Sequence, residues 1–220
     1  MKLTKHILEA IQRGINLAID DFDDMDIDAQ KVGQIKHSMN TRELIKYSHF
    51  ADLGLPSGTL WAKYNVGVNP HMLNSAQDWY GNYYAWGETE EKHNYNWKTY
   101  KYANNDCDEL TKYCNDADFC NDTYKPDNLI TLQDEDDVAT QTNKLHWTVK
   151  MPTKEQFDEL LKYTTNEYVT DYQRINGLNG QVFTSMQNGN EIFIPAAGFR
   201  ANSTVYNVGL TCNLWSRSLF

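Results

Sequence analysis

Four cysteines, at 107, 114, 120 and 212, and a run of acids, Asp134-Glu135-Asp136-Asp137, are the groups in this chain best suited to metal or nucleophilic chemistry. The first three cysteines are spaced by seven and six residues, whereas zinc modules bring their ligands in closely spaced pairs. A disulfide among Cys107, Cys114 and Cys120 is sterically conceivable. The chain opens without the apolar core and cleavage site of a secretion signal, however, so the thiols are expected to be free. Those three also lie among acids, which raise a thiol's pKa and lower its reactivity. The acid run offers hard oxygen ligands of the kind Ca²⁺ takes, with Asp134, Asp136 and Asp137 as the candidate metal ligands. It lacks the glycine turn and fixed spacing of an EF-hand loop. The same acids precede Val138-Ala139-Thr140, and negative charge is favoured at a helix start. The helix-start reading is therefore preferred, and no cofactor is expected. The six histidines are scattered, and HExxH, GxSxG and phosphate-loop motifs are absent. These residues point away from an enzyme.

The elements that must carry these groups fall into two zones. Residues 1–49 hold Phe22 and Tyr47 as their only aromatics. Ile7, Leu8, Ile11, Ile15, Ala18 and Ile19 form an apolar stripe that predicts an amphipathic helix over 5–19. Acids across 20–28 end it, because negative charge at a helix C-terminus opposes the dipole. A second helical stretch is expected over 29–47, through Val32, Ile35, Met39, Leu44 and Ile45. From residue 50 aromatics are dense, and short strand-like pieces alternate with Gly, Pro and Asn turns. Asn188-Gly189, between VFTSM and EIFIP, predicts a hairpin. Pro152-Thr153 followed by Gln156 predicts a capping-boxed helix over 153–163, with Phe157, Leu160 and Leu161 on one face. Residues 103–128 lack periodicity and are expected to form a long loop. The expected class is α+β with short antiparallel strands, divided into a helical segment 1–49 and a domain 50–220.

Charge narrows the function. Thirty acids oppose twenty Lys and Arg, a net charge of −10. Residues 104–137 alone carry eleven acids and two bases, so the imbalance is one acidic insert. That balance argues against nucleic acid as a partner. No apolar run approaches the roughly 20 residues that cross a bilayer, so membrane insertion is not expected. Fourteen Tyr and 22 Asn suit an adaptable recognition surface, and equally a turn-rich β protein.

Ordered landmarks run through 51–218: DLGLPSGTLWAKYNVG (52–67), YGNYYAWGET (80–89), YNWKTYKY (95–102), LTKYC (110–114), DEDDVAT (134–140), MPTKEQFDELL (151–161), IFIPAAGFR (192–200) and LWSRS (214–218). In these the chain resembles the major paralogous domain family of Fibrobacter and Bacteroidales surface proteins. That family is related to the formylglycine-generating-enzyme and C-type-lectin fold group. The module is also similar to the variable proteins of diversity-generating retroelements, often phage receptor-binding proteins. The resemblance implies a C-type lectin-like domain with Trp61, Trp86 and Trp147 as core anchors. It implies a recognition surface in the stretch between AAGFR and LWSRS, which holds no acid. The candidate ligand-binding residues are Arg200, Asn202, Thr204, Tyr206, Asn207, Thr211, Asn213 and Arg217. Two departures stand out. Family members continue past the WSS-like motif with further strands, whereas this chain reaches Phe220 soon after Trp215-Ser216. The Gly-Trp-Arg that precedes Met-Pro-Thr is replaced by His146-Trp147-Thr148-Val149-Lys150.

The function implied by the resemblance is a phage virion-associated receptor-binding or decorating protein. Its lectin-like domain would bind a host cell-surface glycan or protein. Residues 1–49 would join other virion proteins, and the chain would form a homo-oligomer, with a trimer expected. A bacterial surface or fimbria-associated adhesin is the first alternative. A formylglycine-generating-type oxidase is the second; such enzymes use a cysteine pair on copper, and Cys212 has no near partner in the sequence.

Overall fold

A computed structural model describes residues 49–123, 125–143 and 147–219. The helices expected over 5–19 and 29–47 lie outside the described residues. Strands β1 (Phe50–Asp52) and β2 (Leu60–Ala62) form an antiparallel ribbon in which Ala51 faces Trp61. Helix α1 (Ala76–Tyr80) follows, then a long irregular stretch with short 3₁₀ turns, then α2 (Val138–Thr142) and α3 (Lys154–Tyr163). Helix α3 runs directly into β3 (Thr164–Val169), which pairs with β4 (Gly180–Ser185) and through it with β5 (Glu191–Pro195). A last hairpin joins β6 (Phe199–Ala201) to β7 (Thr204–Tyr206). Helices and antiparallel sheets are mixed along the chain, as the α+β expectation required.

Side-chain alternation along β5 explains how three strands serve two cores. Successive strand residues point to opposite faces. Ile192 and Ile194 enter a core with Leu53, Leu55, Trp61, Leu160 and Phe183. Phe193, on the other face, packs with Trp79, Tyr80, Leu178 and Ala197. There the Tyr172 and Phe193 rings stack at 3.9 Å, and the Trp79 indole meets both edge-on. Gly180 permits this: a Cβ there would lie 2.3 Å from the Ile194 carbonyl oxygen. A third core gathers Tyr102, Tyr113, Leu132, Val138, Ala139 and Met151 beneath the acidic stretch.

The helix expected at 153–163 is present with its capping box. The Gln156 N–H donates to the Thr153 hydroxyl, and the Thr153 N–H donates to Gln156 Oε1 at 2.9 Å. Leu161 departs from expectation. It is exposed, because the buried stripe runs through Phe157, Leu160 and Tyr163, and Leu161 is turned about 100° from Leu160. The β4–β5 hairpin is also present, but Asn188-Gly189 sits inside a five-residue connection rather than a two-residue turn. The Ser185 hydroxyl accepts from the Gln187 and Asn188 N–H groups, and the Asn188 and Asn190 amides donate to the Asp52 carbonyl. The loop is thus shaped to hold the β1 ribbon. Trp61 is a buried anchor, whereas Trp86 and Trp147 are half-buried.

Residues 103–128 are irregular, as expected, but they do not leave all the cysteines free. Cys114 and Cys120 form a disulfide with Cα atoms 5.7 Å apart, while Cys107 and Cys212 are free. The intervening 3₁₀ turn Ala117–Phe119, capped by the Asp116 carboxylate on the Asp118 N–H, brings the two buried sulfurs together. No helix among the described residues is long and apolar enough to cross a membrane.

Candidate functional recognition face

The backbone of 196–213 is bonded into the framework at many points. Gly198 starts it. Its φ of +66° suits glycine, and a Cβ there would fall 1.9 Å from the Tyr206 carbonyl oxygen. Gly198 N–H donates to Thr211 O at 2.9 Å, and Gly209 N–H donates to Ala196 O at 2.7 Å. The Gly209 carbonyl accepts from the Tyr168 hydroxyl and the Asn179 amide. Tyr83 donates its hydroxyl to Ala197 O. At the hairpin tip Tyr95 and Asn202 exchange backbone bonds of 2.9 and 2.8 Å. The segment beyond is equally fixed: Trp86 Nε1 donates to Ser216 O, and Leu132 N–H donates to Arg217 O.

On this fixed backbone the side chains face solvent. Asn202, Thr204, Tyr206, Asn207, Thr211 and Asn213 are all exposed. Asn202 and Asn207 occupy left-handed backbone, which Asn tolerates, so they shape the turns as well as line the surface. Thr211 donates its hydroxyl to Asn213 Oδ1. The Phe199 and Tyr206 rings, paired across the hairpin, stack at 5.5 Å.

The polar candidates share the surface with residues the sequence reading left out. Phe199, Val205, Val208, Leu210, Leu214 and Trp215 are exposed, Leu210 to 70% and Trp215 to 55%. A signal for them was available. A stretch with turn formers at 202, 207 and 209 cannot bury every large apolar residue it carries. Trp215 is tied down through Nε1 to Tyr84 O at 2.9 Å, so its indole is held outward rather than loose. An open groove of about 1790 Å³ reaches this edge, lined along its length by Trp61, Trp147, Tyr84, Arg200, Leu214 and Trp215 among others.

The two arginines separate sharply. Arg200 is half-buried, with its guanidinium 5.1 Å from the Tyr95 ring centroid. Its Nε is enclosed without a hydrogen-bond partner, and it forms no ion pair among the described residues. Burial and neighbouring Tyr80 push the Tyr83 phenol up, and Arg200 works against both, which places positive charge beside that ring. Arg217, by contrast, does not belong to the face. It is buried, and its guanidinium holds the Leu132 carbonyl and Asp134, with Asp137 at 3.7 Å.

The three candidate metal ligands are likewise committed elsewhere. Asp134–Asp136 form a 3₁₀ turn, and Asp137 caps α2 by accepting from the Thr140 N–H, as the helix-start reading expected. Asp137 also accepts from the Met151 N–H, and Asp134 pairs with Lys150 and Arg217. Asp136 accepts from the Tyr102 and Tyr113 hydroxyls and from Lys101 and Lys112. Ammonium groups thus stand where a cation would. Desolvation alone would raise its pKa, but these four donors outweigh it and hold the carboxyl below the usual range. Among the described residues, ligand atoms of His, Cys, Asp or Glu gather only at Asp106, Cys107 and Asp108, exposed on the acidic loop. Cys212 is half-buried, with its thiol on Ile194 O, and burial pushes its pKa up, against thiolate chemistry. Comparison with protein-family models, curated proteins and solved structures finds no match for the chain.

Proposed function

We propose that residues 50–220 are a C-type lectin-like recognition domain whose binding face is 199–215, carried by a phage virion-associated receptor-binding or decorating protein. The fold-family part of this reading rests on the ordered sequence landmarks. The binding part rests on one observation: a fixed, acid-free backbone that holds Tyr206, Val208, Leu210, Leu214 and Trp215 exposed. Several large apolar side chains exposed in one short segment suit an interaction site, and rigid presentation lowers the ordering cost of binding. Aliphatic residues at 205, 208, 210 and 214 favour a protein ligand over a glycan, since sugars stack on rings and hydrogen-bond to polar groups.

The test is peptide mass analysis of purified phage particles, with adsorption measured in the presence of an antibody to 199–215. The chain at fixed stoichiometry in particles, and blocked adsorption, are the expected results. Absence from particles and recovery in a bacterial envelope fraction would overturn the virion reading. The Cys114–Cys120 disulfide favours that second reading, a surface or fimbria-associated adhesin, because such bonds form in oxidising compartments outside the cytosol.

A further inference from the structure

Among the described residues the Arg200 guanidinium forms no ion pair, and its Nε is enclosed without a hydrogen-bond partner. The guanidinium sits 5.1 Å from the Tyr95 ring centroid, and Arg200 lines the same groove as Leu214 and Trp215. A guanidinium over an aromatic ring keeps its charge and its planar fork of donors, and a carboxylate matches that fork with two parallel bonds. The surroundings strengthen this. Past Glu191 the chain has no acid, so no carboxylate of this stretch competes, while the protein as a whole is strongly acidic. The stretch itself therefore does not repel an acidic partner.

We propose that the protein ligand of this face presents a carboxylate side chain, Asp or Glu, flanked by apolar residues, and that Arg200 receives it while Leu214 and Trp215 cover the flanks. The inference rests on the recognition face proposed above and names its partner's chemistry. Its specificity logic is electrostatic: a half-buried guanidinium with no ion pair among the described residues gains more from an anion than from a neutral partner.

The test uses the full chain and short synthetic peptides with a central Glu, Gln or Lys among Leu, Val, Phe and Ser, with oligogalacturonate as an acidic sugar probe. Glu peptides are expected to bind about tenfold tighter than their Gln counterparts. Arg200→Gln should erase that difference yet still bind Gln peptides as the parent does, which shows that the face is intact. Arg200→Lys should recover part of it, and Arg174→Gln, an exposed arginine on another turn, should leave it unchanged. Equal binding of Glu and Gln peptides, or a preference surviving in Arg200→Gln, overturns the carboxylate inference and leaves the apolar face standing. Arg200-dependent binding of oligogalacturonate without peptide binding overturns the protein partner. Binding of no probe overturns the recognition face itself.

Discussion

Replacing Asp136 by Asn removes one charge and almost no volume, yet it should cost about 2 kcal/mol of folding stability. Asp136 is 2% exposed and sits under the third core. One oxygen accepts from Tyr102 and from Lys101 at 3.2 Å; the other accepts from Tyr113 at 2.7 Å and Lys112 at 2.6 Å. The amide of Asn turns one accepting oxygen into a donor, so two of the four contacts become donor against donor. Hydrogen bonds to a charged group contribute about 1.5–3 kcal/mol each, and relief of carboxylate desolvation returns roughly half of that total. For a domain of this size the net loss lowers Tm by about 6 °C. The pH dependence gives an independent readout. A carboxyl held below its usual range contributes stability above about pH 4 that is lost as pH falls through the depressed value. Tyr102 and Tyr113 are pushed the other way, by desolvation and by the carboxylate, so their contribution holds below about pH 10 and is lost as pH rises through the elevated values. Urea unfolding of parent and Asp136→Asn from about pH 2 to 8 checks the loss and the acid limb, and extension to about pH 12 checks the tyrosine limb. A loss below about 1 kcal/mol, or an acid limb as steep in the variant as in the parent, would refute the reasoning.

Three further outcomes are expected. Titration with a thiol reagent under denaturing, non-reducing conditions should find two reactive cysteines of four, and Cys114→Ser should lower stability by about 2 kcal/mol, the chain-entropy value for so short a loop. Gly198→Ala forces a left-handed alanine against the β7 backbone and should cost about 3 kcal/mol in urea unfolding, with β6–β7 amides losing hydrogen-exchange protection first. Arg217→Gln leaves fully buried Asp137 and the Leu132 carbonyl without their cation and should destabilise by about 3 kcal/mol in the same assay.

What could be read from the sequence was what local chemistry decides. Thr153 and Gln156 satisfy each other's N–H groups within four residues, so the start of α3 needs no tertiary information. Asp137 caps α2 through its own Thr140 for the same reason. The hairpin between β4 and β5 was signalled by Asn188-Gly189, but its length was not, because the loop is shaped by a contact with Asp52 more than a hundred residues away. Leu161 shows the same limit at smaller scale. Periodicity finds an apolar stripe, and which edge of it is buried depends on what packs there. The Cys114–Cys120 bond turns on the local 3₁₀ turn between them, which no spacing rule for metal ligands addresses.

The proposed recognition face shows where such reading must stop. Arg200 and Arg217 are the same residue type, seventeen positions apart in an acid-free stretch, and the sequence offers no ground for separating them. The difference lies wholly in the long-range partners. Asp134 and Asp137, placed by the α2 start, are within reach of Arg217, and that residue becomes part of the framework. Among the described residues Arg200 forms no ion pair; it lies over the Tyr95 ring and beside Tyr83. The acid run that looked most like a metal site therefore helps to fix the backbone next to the proposed binding face. On the proposed reading the acid run supplies rigidity, and recognition falls to Arg200 and the uncharged residues of 199–215.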